Sequence, residues 1–390
     1  MNNYFKIFVI LALRVILRSF YFLHVKDNRI LFSSFVGKSY NCSPKYIYKY
    51  LQSEYGGKFE YVWCVNDCRI IDDTSPHLCV KYLSIKYIYY LLTSKVIISN
   101  QPIEPFLPKR KSQLFINTTH GGGAYKKGGI QAKNLSRSLR YAMKKMKYLR
   151  AEMTDYVISS CQKYTDVFSA EIEYNIDKSK FLPIGMPRND LFFKSHNLEE
   201  RRKICQFYEL KEDTLLIIYA PTYRGHYNHV DDLVLNFDSE QFLTAVENKF
   251  NKKGVLLFRH HVAAKNMHIS GADVIDVSDY QDMQELLAAS DIFITDYSSC
   301  LWDFSFTYRP GFLYVPDLKK YKNDTDFHIP IDLWPFPYAE TMEQLCCLVK
   351  QYDPISSKNK IDNHHRILGS FEKGTATEDF VTLLNNILFL

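Results

Sequence analysis

The chain has 390 residues, with 49 Lys and Arg against 43 Asp and Glu, and a formal net charge of +6. This length is too great for one ordinary hydrophobic core and suits two domains, and 46% hydrophobic residues exclude a long disordered chain. The mildly basic balance suits an anionic ligand or an anionic membrane surface, and it is too weak to predict nucleic-acid binding.

The N-terminal stretch 4–24, YFKIFVILALRVILRSFYFLH, is strongly apolar but is interrupted by Lys6, Arg14 and Arg18. A transmembrane helix needs roughly 20 apolar residues, and no small-residue cleavage site follows that would indicate a signal peptide. At about 100° per residue the three cations share one third of the helix surface. The pattern predicts that 1–25 form an amphipathic helix in a membrane interface. The alternative is a helix packed on the protein's own core.

Short apolar runs alternate with helical patterns through the rest of the chain. The predicted strands are 29–35, 60–65, 95–100, 114–119, 155–160, 215–220, 254–259, 272–277, 291–295 and 311–315. Their unbroken hydrophobicity is typical of parallel strands buried on both faces, which predicts the α/β class. The two series predict domains 26–190 and 191–390, separated within the Pro- and Gly-containing stretch 182–194, with the option that the last helix packs back on the first domain.

A second basic stretch, 133–150, has apolar residues at helical spacing and no carboxylate. Its cations are Lys133, Arg137, Arg140, Lys144, Lys145, Lys147 and Arg150. Two interpretations remain open for this helix. It is either a solvated face or a surface for anionic lipid or polyphosphate.

Candidate site residues follow the strands, because ligands of open parallel sheets bind beyond the carboxyl ends of the strands. His120 opens the segment HGGGAYKKGG directly after strand 114–119. The candidates after the strands of the second half are Thr222, Arg224, Arg259, His261, Asp296, Ser298 and Ser299. Histidine, arginine and hydroxyl side chains suit phosphate. The serines precede a helical segment, where they either help to bind an anion or simply cap the helix.

Several of these segments resemble the CDP-glycerol glycerophosphotransferase family, which includes teichoic acid primases and polymerases. The matching segments are FSSFVGKSYNCSPKYIYKYL (32–51), HGGGAYKKGG (120–129), YAPTYRG (219–225), LLFRHHVAAK (256–265) and the long stretch 285–321. They occur in order over most of the chain. Two positions depart from the usual pattern: Gly122 stands where threonine is frequent, and Val262 replaces the usual Pro or Tyr.

The resemblance implies a GT-B fold, with two Rossmann-like domains whose parallel sheets face a central cleft. It implies a peripheral enzyme on the cytoplasmic face of the cell membrane. Such an enzyme would transfer a polyol phosphate from CDP-glycerol or CDP-ribitol to a hydroxyl of a lipid-linked glycan, in teichoic acid or capsule synthesis, and release CMP. The donor would bind mainly the second domain, and the acceptor would enter from the first.

The resemblance also suggests roles for the candidates. His120 is the candidate general base, since the pKa of histidine lies near the working pH. His261, Arg224, Ser298 and Ser299 would stabilise charge on the phosphates and the departing CMP. Thr222, Arg259 and Asp296 are assigned to the donor side, with a simple pairing with an acid as the alternative for Arg259. Asp296 either orients its neighbours or caps the following helix, and we expect the cap. Gly121, Gly122 and Lys126 are assigned to the acceptor side.

The sequence predicts no cofactor and no required metal ion, because no acidic pair has metal-ligand spacing. Nine cysteines without regular spacing indicate a reducing compartment. One rival interpretation is a GT-B nucleotide-sugar glycosyltransferase, and another is a non-catalytic membrane protein that binds polyphosphate. The sequence leaves open the acceptor, the choice between glycerol and ribitol, the choice between primase and polymerase, the oligomeric state, and metal dependence, since magnesium could still accompany a pyrophosphate.

Overall fold

The computed structural model describes residues 3–71, 77–127, 136–194, 198–222, 225–226, 229–230, 237–260, 269 and 271–389. The helices are α1 Asn3–Arg18, α2 Cys42–Tyr55, α3 Ile85–Thr93, α4 Arg137–Met153, α5 Gln162–Ser169, α6 Leu198–Phe207, α7 Ser239–Phe250, α8 Met283–Ala289, α9 Cys300–Ser305, α10 Leu318–Asp324, α11 Met342–Lys350, α12 Pro354–Leu368 and α13 Ala376–Phe389. The strands are β1 Lys26–Ser33, β2 Glu60–Cys64, β3 Leu78–Val80, β4 Ser94–Ser99, β5 Leu114–Asn117, β6 Tyr156–Ile158, β7 Phe181–Leu182, β8 Leu215–Ala220, β9 Gly225–His226, β10 His229–Val230, β11 Gly254–Phe258, β12 Val274–Asp276, β13 Ile292–Thr295, β14 Gly311–Tyr314 and β15 Tyr338–Ala339.

The chain divides into two compact units. Unit 1 consists of Met1–Gly122, Gly128–Asp190 and Ser370–Leu390, and unit 2 consists of Gly123–Lys127 and Leu191–Gly369. The chain therefore enters unit 2 for a short segment after the glycine-rich turn and returns to unit 1 at its C-terminus.

Unit 1 contains a seven-stranded parallel sheet in the order β3-β2-β1-β4-β5-β6-β7. β1 pairs with β2 on one side and with β4 on the other, and β4 pairs with β5. The central strands are buried along most of their length, as their unbroken apolar sequence predicts. The carboxyl ends of β1, β4 and β5 consequently lie side by side at one edge of the sheet, and three loops start there.

Unit 2 contains a six-stranded parallel sheet in the order β12-β11-β8-β13-β14-β15. The central strand β8 pairs with both β11 and β13, and all six residues of β8 are buried. In both units the strands that follow the first one along the chain are added on one side of it, and the later strands are added on its other side. The carboxyl ends of β8, β11 and β13 are therefore neighbours.

Each predicted strand overlaps a strand of the structure, which confirms the predicted α/β class. Sequence reasoning missed β3, β7, β15 and the antiparallel pair β9–β10, all of two or three residues. Such short strands show no periodicity, and only pairing with a neighbour defines them.

The N-terminal helix α1 packs on α4, where Ile7 and Ile10 join Ala142 and Leu149 in a small apolar cluster. The three cations that share one third of the helix surface have different surroundings in the structure. Arg14 is 4% exposed and donates to the Pro105 carbonyl oxygen at 3.1 Å and to the Glu152 carboxylate at 3.0 Å. Burial lowers the pKa of this guanidinium, and Glu152 opposes the shift.

The outward surface of α1 is apolar as well as charged. Its exposed apolar residues are Tyr4, Phe5, Phe8, Leu11, Leu13, Val15 and Ile16. Lys6 and Arg18 are also exposed. Across the residues that the structure describes, no helix combines the length and the hydrophobicity needed to cross a membrane.

The basic helix α4 begins at Arg137, and its N-cap is Ser136. Lys133, the first cation of the predicted basic stretch, lies outside the described residues. Its cations are less isolated than the sequence suggested, since Glu171 from a neighbouring loop approaches Lys144 at 3.3 Å. The Lys147 ammonium donates to the carbonyl oxygen of the same glutamate. Part of the positive charge of α4 is therefore neutralised within unit 1.

The return of the chain to unit 1 is held by Asp190, whose two carboxylate oxygens accept from the N–H groups of Ala376 and Thr377 at 2.9 and 2.7 Å. These are the first residues of α13, where Phe380, Val381 and Leu384 enter the core above β1 and β2.

We expect Asp190→Ala to destabilise α13 by about 1–2 kcal/mol, because the substitution removes a helix cap. Hydrogen exchange of the α13 amides should accelerate about 5- to 30-fold, whereas Asp190→Asn, which keeps one acceptor oxygen, should lose less. Equal protection of α13 in the alanine variant and the unsubstituted protein would contradict this role.

Candidate active site

His120 lies just beyond β5, with its ring exposed at the carboxyl edge of the unit 1 sheet. Its Nδ1 atom is 3.2 Å from the carbonyl oxygen of Asn100, the residue that follows β4. The ring of Phe35, from the loop after β1, contacts the imidazole edge to face at 5.5 Å. Asn100 also binds that loop, because its Oδ1 accepts the Phe35 N–H at 2.8 Å. Three neighbouring strands thus position one imidazole.

The contact with Asn100 determines the tautomer of His120. A carbonyl oxygen only accepts, so Nδ1 carries the proton and the neutral ring has its lone pair on Nε2. The Gln101 amide nitrogen is 3.4 Å from the same Nδ1. This longer contact cannot be a second donation to a protonated nitrogen, and a rotated Gln101 amide that presents its oxygen resolves the conflict. A lone pair on Nε2 is what a general base requires.

The glycine-rich segment has two parts with different surroundings. Gly121 and Gly122 follow His120 in unit 1, while Gly123 to Lys127 belong to unit 2. Gly123 has φ +75°, and a Cβ there would lie 2.3 Å from the Tyr125 ring. At this position the glycine serves a tight turn.

Tyr125 anchors the second part within unit 2. Its ring packs edge to face on Trp334 at 4.9 Å, and its hydroxyl is 2.7 Å from His364 Nε2. Burial lowers the pKa of His364 to about 3, so the ring is neutral. His364 Nδ1–H donates to the Leu333 carbonyl oxygen at 2.6 Å, and Nε2 accepts from Tyr125.

Lys126, which the sequence analysis assigned to the acceptor side, forms an antiparallel bridge with Phe327 in unit 2. The adjacent Lys127 pairs with Asp326 at 2.7 Å. The backbone of this segment is thus held on both sides of Lys126.

In unit 2, Asp296 lies directly after β13 and is 1% exposed. Its Oδ1 accepts from the N–H of Thr222, which follows β8, at 2.8 Å, and from its neighbour Tyr297. The N-cap of α9 is Ser299. The expectation that Asp296 caps this helix was therefore wrong, and the carboxylate instead ties two adjacent strand ends together.

Ser298 and Ser299 lie where the sequence predicted, at the start of α9. The Ser298 hydroxyl accepts from the N–H of Cys300, the first residue of α9, at 3.3 Å, whereas the N-cap Ser299 makes no side-chain capping hydrogen bond. Helix α9 has six residues, so any anion binding here would depend on local N–H donors more than on a long helix dipole. Asp303 is 2% exposed and accepts from the Gln284 amide at 3.0 Å, so its described role is structural.

Arg259 lies directly after β11 and donates to the carbonyl oxygens of Tyr280 and Val277 at 2.7 and 3.3 Å. Burial lowers its pKa, while Cys300 and Asp282 oppose the shift. The hydrogen bonds of Arg259 within the described residues go to backbone oxygens, which argues against a simple ion pair with an acid.

Two candidates, Arg224 and His261, lie outside the described residues. The side chains of His226 and His229 are likewise not described. Within the described part of the chain, no cluster of three or more His, Cys, Asp or Glu side chains has the arrangement of a metal site.

Sequence reasoning missed Phe35, Asn100 and Gln101, which contact the His120 ring. Asn100 was predicted as the last residue of a strand, although β4 ends at Ser99. The rule that residues after a strand are site candidates would have selected it had the boundary been one residue earlier. Asn100 is 1% exposed, and its buried Nδ2 makes no hydrogen bond to the described residues.

The sequence matches the profile of the CDP-Glycerol:Poly(glycerophosphate) glycerophosphotransferase family over residues 15–386. It is 27% identical to a teichoic acid poly(glycerol phosphate) polymerase of Bacillus spizizenii over 91% of both chains. It is 28% identical to a teichoic acid glycerol-phosphate transferase of Staphylococcus aureus over 85% of both chains. It is also 27% identical, over 77% of both chains, to a teichoic acid ribitol-phosphate primase of B. spizizenii.

Among solved structures, the chain resembles the wall teichoic acid polymerase TagF, with a TM-score of 0.82 and 28% identity over 99% of this chain and 97% of that chain. A TagF structure soaked with CDPG gives a TM-score of 0.83 and 27% identity, with the same coverage. A putative UDP-N-acetylglucosamine 2-epimerase from Listeria monocytogenes shares the fold alone, at a TM-score of 0.51 and 10% identity over 92% of this chain and 96% of that chain. The two parallel sheets are those of a GT-B-like fold. With the profile matched over nearly its whole length, the chain belongs to the CDP-glycerol:poly(glycerophosphate) glycerophosphotransferase family.

Proposed function

We propose that the protein transfers glycerol phosphate from CDP-glycerol to a hydroxyl of a teichoic acid acceptor and releases CMP. The observation that carries this proposal is the exposed His120 imidazole at the carboxyl edge of a parallel sheet, with Nδ1 on the Asn100 carbonyl. Family membership supplies the chemical class, and the imidazole supplies a base with its lone pair on Nε2. The names of the B. spizizenii polymerase and the S. aureus transferase refer to glycerol phosphate, whereas the name of the B. spizizenii primase refers to ribitol phosphate.

In the proposed reaction the acceptor oxygen attacks the phosphorus that carries the glycerol. A new P–O bond forms, the bond to the bridging oxygen breaks, and CMP leaves with that electron pair. His120 takes the proton of the attacking hydroxyl, because a neutral hydroxyl is a poor nucleophile at neutral pH. A phosphoryl transfer of this kind depends mainly on positioning and on stabilisation of developing charge.

The second set of strand ends supports a donor role for unit 2. Asp296 holds the backbone of Thr222 beside the start of α9, and Arg259 brings a positive charge close to Cys300 in the first turn of that helix. Ser298 and Ser299 are half-buried at the same place. We assign Thr222, Arg259, Ser298 and Ser299 to the donor diphosphate, together with Arg224 and His261 on the strength of the family motifs.

A nucleotide-release assay tests the reaction class. The purified protein is incubated separately with CDP-glycerol, CDP-ribitol, UDP-glucose and GDP-mannose, each with a membrane extract as acceptor. We expect CMP from CDP-glycerol. CMP from CDP-ribitol alone would change the polyol, and release of UDP or GDP would overturn the proposal in favour of glycosyl transfer.

We further propose that the enzyme works peripherally at the cytoplasmic face of the cell membrane, on a lipid-linked acceptor. The outward surface of α1 supports this, because its apolar side chains are exposed beside Lys6 and Arg18. The exposed cations Arg137 and Arg140 of the adjacent helix α4 suit anionic lipid headgroups.

We expect Phe8→Glu to weaken binding to vesicles that contain phosphatidylglycerol by roughly tenfold or more, because burial of one phenylalanine contributes about 1.5–3 kcal/mol. Phe8 is 66% exposed, so its loss should not disturb the fold. Cosedimentation with vesicles measures the effect. Ile355→Glu is the matched control, since Ile355 is 72% exposed on α12 of unit 2. Equal losses in both variants, or none in Phe8→Glu, would contradict a membrane surface on α1.

A further inference from the structure

Thr119, directly before His120, has an unusual backbone. Its φ is +54°, in the left-handed region that β-branched residues rarely enter. Among the described residues with positive φ, the β-branched ones are Thr119 and Val36. Val36 follows Phe35, whose ring contacts His120. Thr119 and Val36 are thus each next in sequence to a residue of the His120–Phe35 ring contact, and backbone strain of this kind is frequent at functional sites.

Three groups hold Thr119 in this conformation. Its N–H donates to the Asn117 side-chain oxygen at 3.0 Å. Its hydroxyl donates to the Met186 sulfur at 3.9 Å. The Cys42 thiol lies 3.9 Å from its carbonyl oxygen. Thr119 is 3% exposed, so these contacts are shielded from water.

The left-handed residue changes the direction of the chain at the point where the site begins. Thr118 still follows the sheet, because its N–H donates to the Ser99 carbonyl oxygen at 2.8 Å. With an extended Thr119 the chain would advance a further ~3.3 Å along the strand direction. The turn at Thr119 instead keeps the His120 ring beside the end of β4, within reach of the Asn100 carbonyl.

We propose that Thr119 is a positioning residue for the transfer reaction, whose left-handed backbone, held by Asn117 and Met186, sets the position and tautomer of the His120 imidazole. The inference rests on the proposed role of His120 as general base. Thr119 itself acts through His120 and touches no reacting atom. The contacts at Asn117 and Met186 hold a conformation that a threonine would otherwise leave.

Four variants test the inference. Thr119→Val keeps the branched shape but removes the hydroxyl, and Asn117→Ala removes the acceptor of the Thr119 N–H. For each we expect kcat to fall about tenfold while KM for CDP-glycerol stays within about twofold. Thr119→Asn should retain most of the activity, because asparagine accepts positive φ readily and keeps a polar side chain. Thr165→Val is the matched control and should be unchanged, since Thr165 is also buried but bonds Ser159.

A double-mutant cycle with His120→Ala separates this inference from the proposed function. If Thr119 acts through His120, Thr119→Val should cause no further loss in the His120→Ala background. Near-normal turnover of His120→Ala itself would refute the base assignment. An inactive His120→Ala with a fully active Thr119→Val would refute only the positioning role. A Thr119→Asn variant as slow as Thr119→Val, or an additive loss in the cycle, would also overturn it.

Discussion

His120→Ala is expected to lower the turnover of CDP-glycerol by roughly 10²–10⁴-fold, the usual contribution of a positioned general base. The acceptor hydroxyl would then lose its proton to water, at a barrier higher by about 3–5 kcal/mol. KM for CDP-glycerol should change little, because the donor side is assigned to residues of unit 2. CMP release at saturating CDP-glycerol measures the effect.

The geometry makes this substitution a clean test. His120 is exposed, and its described contacts are with Phe35, Asn100 and Gln101 at the surface of unit 1, so we expect the fold to persist. His24→Ala is the matched control, since His24 is an exposed histidine of the same unit. If His120→Ala released CMP at nearly the normal rate, another group would have to serve as the base.

Asp296→Ala should have the largest effect on stability. The carboxylate is 1% exposed and accepts from the N–H groups of Thr222 and Tyr297. Each buried donor that loses its acceptor costs about 1–3 kcal/mol, so a destabilisation of roughly 2–6 kcal/mol is expected for unit 2. Activity should fall with it, because Thr222 is itself assigned to the donor and precedes the donor candidate Arg224 by two residues in the sequence.

Hydrogen exchange of the β8 and β13 amides measures the loss without assuming that the two units unfold together. Asp296→Asn is the informative companion, because its side-chain oxygen can still accept both N–H groups. We expect it to retain most of the stability and to separate the contribution of the charge from that of the hydrogen bonds. Equal destabilisation in the two variants would mean that the charge is the important property of Asp296.

The α/β class and the positions of the long strands were predictable from the sequence. The run Leu215–Ala220 is unbroken and apolar, and the structure buries all of it in the middle of the unit 2 sheet. The sequence of a buried parallel strand is continuously apolar, because helices cover both faces of the sheet. The same logic placed His120, Thr222 and Asp296 at strand ends, since chemistry in open parallel sheets lies beyond the carboxyl ends of the strands.

Tertiary contacts decided what each of these residues does. The sequence around Asp296 suits a helix cap equally well, and only the approach of Thr222 from a strand far away in the chain shows that Asp296 ties two strand ends together. The spacing of Arg14 in the sequence suits a charged helix face, but in the structure its guanidinium donates to Glu152 and to the Pro105 carbonyl oxygen. The helical spacing of charged residues shows which side of a helix is polar, but it does not show whether another helix covers that side.

The glycine-rich segment illustrates the division between the two kinds of information. By itself the sequence determined that a histidine stands at a strand end, next to residues that permit unusual backbone angles. The tertiary structure decided that Gly123 turns the chain against Tyr125 and that the strained residue is Thr119. Local residue types fix which conformations are accessible, whereas the selection of one of them depends on partners distant in sequence, such as Asn100, Met186 and His364.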